Sequence, residues 1–364
     1  MRPLEGLEVV AIEQAVAGPI ASCRLADAGA HVTKVERPEG DFARGYDDVA
    51  KGQASYFVWL NRGKETVTLD LTSDAGKAAL ADLIAKADVL IQNLKPGSLA
   101  RLGFDLDRLH AENPRLISCS ISGYGEGGPL ANRKAYDLLI QAESGLCSVT
   151  GGPTEPARVG TSVVDIATGS TAYEAILEAI IGRGVSGKGA RISVSMFDVM
   201  AEWLTVPLLN HEGGKSPKRV GLAHPSIAPY GVFQPKSGAP ILISIQSDRE
   251  WRMLAKHFLE DESLATEPRF ATNVARVQNR AETDALVGAA FAKHASEEAV
   301  ARLDAANIAL AQVNDMAGLS AHPHLRRITV DSPNGSVSFP APGAQFEGQP
   351  RSYGPVPALK PLEP

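Results

Sequence analysis

One acid, Asp165, stands where a nucleophile would be expected, in the run GTSVVDIATGSTAYEAILEAI. The preceding Val163 and Val164 favour extended backbone, and an Ala-rich amphipathic pattern continues to about Ile181. A strand is therefore predicted to deliver this carboxylate to the start of a helix. Two interpretations are open from these residues alone: Asp165 caps the helix by accepting backbone N–H bonds, or it attacks a substrate.

The amino-terminal segment predicts a βαβ unit that could surround such a site. It has a strand over residues 7–12, a turn at Gly18 and Pro19, a helix to about Ala28 and a second strand over 31–36. Such units bind ligands at the carboxyl ends of their strands, but the first turn lacks the glycine fingerprint of a dinucleotide site. A formal G-x-G-x-x-G occurs later, in SGYGEGGP. Because Pro129 follows it and no amphipathic helix opens there, we prefer a mobile loop to a dinucleotide site.

Strand and helix patterns alternate through about Leu204, which indicates α/β architecture. Strands are predicted at residues 66–71, 88–91, 116–122 and 190–195, and a helix at 74–86. After about residue 212 the pattern changes to a Pro- and Gly-rich opening, a strand at 240–245 and helices near 249–259, 280–294 and 297–306. We divide the chain into a large domain (1–210), a small domain (211–320) and a carboxyl segment (321–364). The prolines of this last segment, Pro364 included, exclude a long helix.

The chain has 364 residues, a formal net charge of -6 and 44% hydrophobic residues. No basic excess indicates nucleic-acid binding, and neither a signal peptide nor a membrane-spanning run is recognised, so a cytoplasmic location is predicted. Histidines in AHPSIAPYG and AHPHLRR lie beside prolines and are predicted to be structural, so no metal site is expected. The cysteines lack metal-ligand spacing and are predicted to be buried free thiols: Cys23, Cys119 and Cys147.

Six short blocks, in order along most of the chain, carry a family resemblance. They are AGPIASCRLADAGAHVTKVERPEGD, LNRGKETVTLDL, ADVLIQNLKPGSLARLGFD, NPRLISCSISGYGEGGP, AHPSIAPYG and QVNDMAGLSAHPHLRR. The chain resembles the family III CoA-transferases, also called the CaiB/BaiF family. This resemblance implies a Rossmann-like large domain, a smaller α+β domain and two ring-like chains interlocked into a homodimer. It also implies that the carboxyl segment returns to the large domain. Family members usually continue into a final helix where this chain ends in PALKPLEP, so a shortened member or a truncated chain is expected.

The resemblance places the family's nucleophile on Asp165. A carboxylate with a reference pKa of about 3.9 would be ionised at neutral pH and could attack a thioester without a separate base. The implied sequence is a mixed anhydride, then an aspartyl thioester of CoA, then the same exchange with the acceptor acid. Backbone N–H groups would stabilise each oxyanion, and Gly169 and the SGYGEGGP loop are the candidates. Acyl-CoA is a substrate here, and no tightly bound cofactor is expected.

Resemblance also assigns binding residues by position. CoA contacts are expected from three basic, one amide and four apolar residues: Val16, Arg37, Leu69, Asn93, Leu94, Arg101, Lys134 and Met196. The basic members can answer phosphate charge. Thr72 stands where some relatives carry a phosphate-facing lysine. Tyr136, Asp137 and Gln246 are expected near the acceptor acid, with Arg249 and Trp251 as further candidates.

The function expected is CoA transfer between an acyl-CoA and a small acid, with a short dicarboxylate such as succinate, mesaconate or itaconate preferred. Oxalate/formate, carnitine and aryl acids are open alternatives. Relatives that use formyl-CoA carry a run of glycines near ISIQSDREW, and its absence argues against oxalate. A 2-methylacyl-CoA racemase is the rival, but racemases place a histidine where this chain has Tyr136, a poor base at neutral pH. A noncatalytic CoA-binding protein is the other alternative.

Overall fold

The computed structural model describes residues 2–362, so Met1, Glu363 and Pro364 lie outside the described residues. The strands are β1 Glu8–Ile12, β2 His31–Glu36, β3 Glu65–Thr68, β4 Val89–Gln92, β5 Ile117–Ser122, β6 Arg191–Ser195, β7 Tyr230–Phe233, β8 Ile241–Ser244, β9 Ala309–Gln312, β10 Arg327–Val330 and β11 Val337–Pro340. The helices are α1 Ala17–Asp27, α2 Ser55–Asn61, α3 Asp74–Lys86, α4 Ser98–Arg101, α5 Leu106–Glu112, α6 Asp137–Glu143, α7 Leu146–Val149, α8 Val163–Ser186, α9 Met196–Trp203, α10 Thr205–Glu212, α11 Asp248–His257, α12 Asn273–Gln278, α13 Arg280–Phe291, α14 Ser296–Ala305 and α15 Met316–Ser320.

Contacts divide the chain into two compact units. Among the described residues, the first comprises residues 2–147, 158–209 and 326–362, and the second comprises residues 148–157 and 210–325. The second unit is therefore inserted into the sequence of the first.

The first unit is built on six parallel strands in the order β3-β2-β1-β4-β5-β6. Their Val- and Ile-rich interiors are buried by helices, as parallel sheets require. This is the strand order of Rossmann folds, and the predicted α/β class is confirmed. The order reverses between β1 and β4, where open α/β sheets bind ligands.

Helix α8 packs closely against α1. A Cβ added at Gly169 would lie 2.4 Å from the backbone oxygen of Ala17, so only glycine allows the two backbones to approach this far. The helix continues to Ser186 and ends at Gly187, whose φ of 71° is the left-handed conformation that glycine adopts at helix ends. The sequence prediction ended this helix too early, near Ile181.

Residues 326–362 return to the first unit. Strands β10 and β11 pair antiparallel, and Val330 and Val356 share a buried cluster with Phe57 and Val58 of α2. Beyond the hairpin, the Thr66 hydroxyl of β3 donates a hydrogen bond to the Ala358 oxygen over 2.9 Å. The segment therefore covers both α2 and the edge strand β3 of the six-stranded sheet.

The second unit contains an antiparallel sheet in the order β7-β8-β9 with five helices, α11 to α15. Its core includes Trp251, Phe258 and Phe291, all nearly inaccessible. The candidate role of Trp251 in an acceptor pocket is wrong, because its side chain is buried in this core and its Nε1 donates to the Leu264 oxygen over 3.1 Å. Among residues 2–362, no helix is long and apolar enough to cross a membrane.

Candidate active site

Two cavities open at the carboxyl ends of the parallel strands. The first, of about 590 Å³, is lined by residues that follow or end β1, β4, β5 and β6 and by the start of α8. The second, of about 420 Å³, is lined by the segments after β1, β2 and β3. Gln14 and Leu94 line both cavities, so the two are neighbours across the β1/β4 reversal. All residues that line them belong to the first unit.

Asp165 lines the first cavity as the third residue of α8. The predicted strand before it is wrong, because Val163 and Val164 are already helical and Ser162 occupies the N-cap position. Within residues 2–362, no donor reaches the Asp165 carboxylate, so it does not act as a helix cap. Burial, and then the charge of Asp137, raise the pKa of Asp165 from 3.8 to about 7. The expectation of a fully ionised carboxylate at neutral pH is corrected to a group that titrates there.

Asp137, from the start of α6, takes the capping role instead. Its Oδ1 accepts hydrogen bonds from the backbone N–H groups of Val164, over 2.8 Å, and Asp165, over 3.2 Å. Two of the free donors in the first turn of α8 are thereby satisfied from a different helix. The same carboxylate disfavours a second negative charge on Asp165. Asp137 thus fixes the backbone of Asp165 and perturbs its ionisation.

Gln141, fully buried on α6, extends this hydrogen-bond network. Its Nε2 donates to Asp137 Oδ2 over 2.7 Å and to the Thr161 oxygen over 3.4 Å, and its Oε1 accepts from the Val159 backbone N–H over 2.9 Å. The stretch before α8 is therefore held against α6 at two points. Gln141 was not recognised from the sequence, because two of its three partners, Val159 and Thr161, lie about twenty residues away.

An aromatic wall faces the cavity from the segment between β2 and β3. The Tyr56 hydroxyl and the Ser162 hydroxyl lie 2.8 Å apart, and Tyr46 packs edge-on against Tyr56 at 6.1 Å between ring centroids. Burial, followed by nearby negative groups that include Asp165, raises the pKa of Tyr46 to about 12. The Tyr46 hydroxyl therefore keeps its proton. Sequence reasoning missed this wall, although the aromatic residues clustered in FARGYDDVAKGQASYFVWLN were a usable signal.

The loop after β1 is held by two side chains. Gln14 and Asn93 exchange hydrogen bonds, with Gln14 N donating to Asn93 Oδ1 over 3.0 Å and Asn93 Nδ2 donating to Gln14 O over 2.8 Å. Ala15 has a φ of 63°, and its N–H donates to Asp41 Oδ1 over 3.1 Å. A non-glycine residue adopts this conformation only where its surroundings hold it. The loop is thus fixed where it borders both cavities.

Below this loop lies a fully buried set of charges. Lys34 Nζ lies 2.8 Å from Asp41 Oδ2, and Lys64 Nζ lies 2.7 Å from Glu13 Oε1. Ser22 adds a hydroxyl that donates to Glu13 over 2.8 Å. Burial lowers the pKa of Lys64. Each buried charge is paired, as a low-dielectric interior requires.

The predicted CoA residues divide between the two cavities. Val16, Asn93, Leu94, Lys134 and Met196 line the first cavity, together with the predicted substrate residues Tyr136 and Asp137. Arg37 and Leu69 line the second, as does Thr72.

Three other predicted residues lie elsewhere. Arg101 lines neither cavity, and its Nη2 donates to Ser98 Oγ over 2.7 Å. Gln246 belongs to the second unit, where its backbone N–H donates to Glu250 Oε2 over 2.6 Å at the start of α11. Gly169 is wrong as an oxyanion donor, because it lies in the interior of α8 against α1.

Comparison with known proteins identifies the family. The model of CoA-transferase family III matches residues 4–359. The chain belongs to that family. It is 35% identical to the acetyl-CoA:oxalate CoA-transferase of Acetobacter aceti, over 95% of this chain and 90% of the relative. It is 34% identical to the succinate–glutarate CoA-transferase of Agrobacterium fabrum, over 92% and 87%. The structure of a CaiB/BaiF family protein from Brucella suis superposes with a TM-score of 0.84 at 36% identity, covering 98% of this chain and 96% of that one.

Membership of CoA-transferase family III makes the chain a CoA-transferase enzyme, which uses CoA thioesters as substrates.

The local structure also argues against the dinucleotide interpretation of the glycine motif. After Gly128 no helix begins until Asp137, and a Cβ added at Gly123 would lie 2.1 Å from the Ala135 Cβ. That glycine allows the Ala135 side chain to pack against its backbone, and it does not open a phosphate-binding helix.

Proposed function

We propose that the chain transfers CoA between an acyl-CoA and a short carboxylic acid, with Asp165 as the group that becomes acylated. The observation that carries this proposal is the position of Asp165. Its carboxylate has no described hydrogen-bond donor and lines a cavity at the β1/β4 reversal, where a thioester can approach it.

In the first exchange, an Asp165 oxygen attacks the thioester carbon of the donor. The carbonyl electrons move to oxygen and then return as the C–S bond breaks. The products are a mixed anhydride of the acyl group with Asp165 and a free CoA thiolate. This thiolate attacks the Asp165 carbonyl carbon, the anhydride C–O bond breaks, and the donor acid leaves as its carboxylate. Asp165 then carries CoA as a thioester.

The second exchange reverses these steps with the acceptor. An acceptor carboxylate attacks the Asp165 thioester, which releases CoA thiolate and forms a new anhydride. The thiolate attacks the acceptor acyl carbon and frees Asp165 as a carboxylate. No proton is consumed over the cycle, so a general base is not needed once Asp165 is ionised. Its raised pKa keeps about half of the free enzyme protonated near pH 7.

The surrounding residues support these steps. Asp137 holds the backbone that carries Asp165, and Tyr46 offers a hydroxyl donor that stays protonated. We propose that the CoA chain crosses from the first cavity into the second, with Leu94 as a common apolar contact and with Arg37 and Lys134 facing its phosphates.

The acceptor is proposed to be a short dicarboxylate. One relative is named for succinate and glutarate, and another for oxalate, so oxalate belongs in the same screen. Gln246 stays a proposed acceptor contact, and Arg101 a proposed phosphate contact. The division at residues 210 and 320 also stays a proposal.

We also propose a homodimer, from the resemblance to the CaiB/BaiF family. Large apolar side chains on α8, α9 and α10 support it, because Val185 is 90% exposed, Trp203 59% and Val206 67%. A sedimentation mass equal to one chain would contradict this proposal.

The decisive experiment is intact-protein mass spectrometry after incubation with acyl-CoA donors. Wild type should gain an adduct at Asp165 that hydroxylamine converts to a hydroxamate, and Asp165→Ala should gain none. Asp82→Asn, an exposed acid on α3, is the control and should label like wild type. The mechanism is wrong if succinyl-, acetyl- and oxalyl-CoA all leave wild type unlabelled, or if the label lies on another residue.

A further inference from the structure

Four basic side chains line the cavity that contains Asp165, and their environments differ. They are Lys95, Arg133, Lys134 and Arg158. Arg133 is neutralised, because its Nη1 lies 2.8 Å from Glu143 Oε1. The other three have no ion-pair or hydrogen-bond partner for their charged groups within residues 2–362. Three unpaired cations in one cavity indicate an anionic ligand with more than one charged group.

Arg158 differs from the two lysines in how its backbone is tied to the reaction centre. Gln141 binds the backbone of Val159 and of Thr161, on the carboxyl side of Arg158, and the same amide group donates to Asp137. Asp137 in turn accepts from the N–H of Asp165. Gln141 and Asp137 therefore connect the backbone next to Arg158 with the backbone that carries the nucleophile. Lys95, by contrast, follows β4 beside Leu94, which leads to the second cavity.

The charge of Arg158 is also available to a ligand. It forms no ion pair with Asp165, although both line the same cavity. The charged group that shifts the pKa of Asp165 is Asp137. A guanidinium is planar and can donate two parallel hydrogen bonds to a carboxylate, which suits it to a second carboxylate better than an ammonium.

We propose that Arg158 binds the distal carboxylate of a dicarboxylic substrate while the other carboxyl group reacts at Asp165. This inference rests on the proposed function and adds the residue that selects a dicarboxylic acyl group. Lys134 stays assigned to a CoA phosphate, but Arg158 does not, because the pantetheine arm separates the phosphates from the sulfur that reacts at Asp165. The backbone next to Arg158 is linked to that of Asp165 through Gln141 and Asp137. A monocarboxylic acyl group would leave the guanidinium without a partner.

The test measures the rate of adduct formation at Asp165 by quenched mass spectrometry with matched donors. Succinyl-CoA is compared with butyryl-CoA, and glutaryl-CoA with valeryl-CoA, so that only the distal carboxylate differs within a pair. Wild type should label faster with the carboxylated donor of each pair. Arg158→Gln should lower that rate about 10- to 100-fold, the loss of one charge-assisted hydrogen-bonded pair, or about 1.4–2.8 kcal/mol. For butyryl-CoA and valeryl-CoA, which lack the distal carboxylate, the labelling rate should change by less than about twofold.

Two control variants separate this role from general effects. Arg158→Lys keeps the charge but not the two parallel donors of the guanidinium, and it should recover part of the preference for the carboxylated donor. Arg133→Gln removes a cavity charge that is already paired, and it should affect both members of a donor pair by the same factor. The inference is overturned if Arg158→Gln slows both donors of a pair equally, so that the ratio of their labelling rates does not change. Labelling at Asp165 would still uphold the proposed function in that case. Absence of any label in wild type would overturn both.

Discussion

Replacing Asp165 by asparagine should stabilise the protein at neutral and alkaline pH. The carboxyl group has a pKa of about 7 in the fold against 3.8 as its ordinary value, so the folded protein holds the proton more tightly than the unfolded chain does. The contribution of this bound proton to the free energy of unfolding is fully present below about pH 4 and is lost as the pH rises towards 7. Roughly three pKa units at about 1.36 kcal/mol each give a cost of about 4 kcal/mol at pH 8. Asparagine keeps the shape of the side chain and removes this cost.

The assay is urea unfolding of wild type and Asp165→Asn at about pH 5 and about pH 8, with the free energy of unfolding extrapolated to water. The variant should gain about 3–4 kcal/mol at the higher pH and clearly less at the lower one. Asp82→Asn, on the exposed side of α3, should show no such pH-dependent gain. A variant that is no more stable than wild type at pH 8, or a gain that does not change with pH, would refute the reasoning about burial and Asp137.

Two further predictions concern rate and packing. Labelling of Asp165 by an acyl-CoA should rise about tenfold per pH unit below the pKa of about 7 and level off above it, and a flat rate across about pH 6 to 8 would contradict this. Gly169→Ala should destabilise the fold by about 1–3 kcal/mol, because its Cβ would lie 2.4 Å from the Ala17 oxygen. Gly182→Ala on the same helix, where the Cβ meets nothing within 4 Å, should instead stabilise by about 0.5–1 kcal/mol; equal unfolding free energies for the two variants would count against the packing argument.

Local patterns were enough to predict the parallel α/β unit. Residues 74–86 are helical as predicted, and β2 has the predicted bounds, because hydrophobic periodicity and turn residues agree there. The interpretation failed at Val163 and Val164, which have high strand propensity but lie in α8. Two interactions override that propensity: Asp137 accepts hydrogen bonds from the first turn, and α8 packs against α1.

The sequence was enough to predict which residue is the candidate nucleophile, but not the groups that surround it or its pKa. The resemblance placed Asp165, and the structure puts it in a cavity with Asp137 and Lys134. The shifted pKa could not be read from the sequence, since it depends on burial and on an acid 28 residues away. Tyr46 was missed for a similar reason, because the clustered aromatic residues of its segment do not show from the sequence that they reach the cavity, which depends on the tertiary fold.

The return of residues 326–362 to the first unit has a consequence for biosynthesis. Strand β3 and helix α2 are made early, but their cover emerges only after residues 210–325 have been translated. At ordinary elongation rates this delay is on the order of ten seconds. The second unit, although it starts later, can therefore finish folding first. A ribosome that pauses within it would leave Phe57 and Val58 without their Val330 and Val356 partners, and exposed apolar surface of this kind makes a nascent chain prone to aggregation.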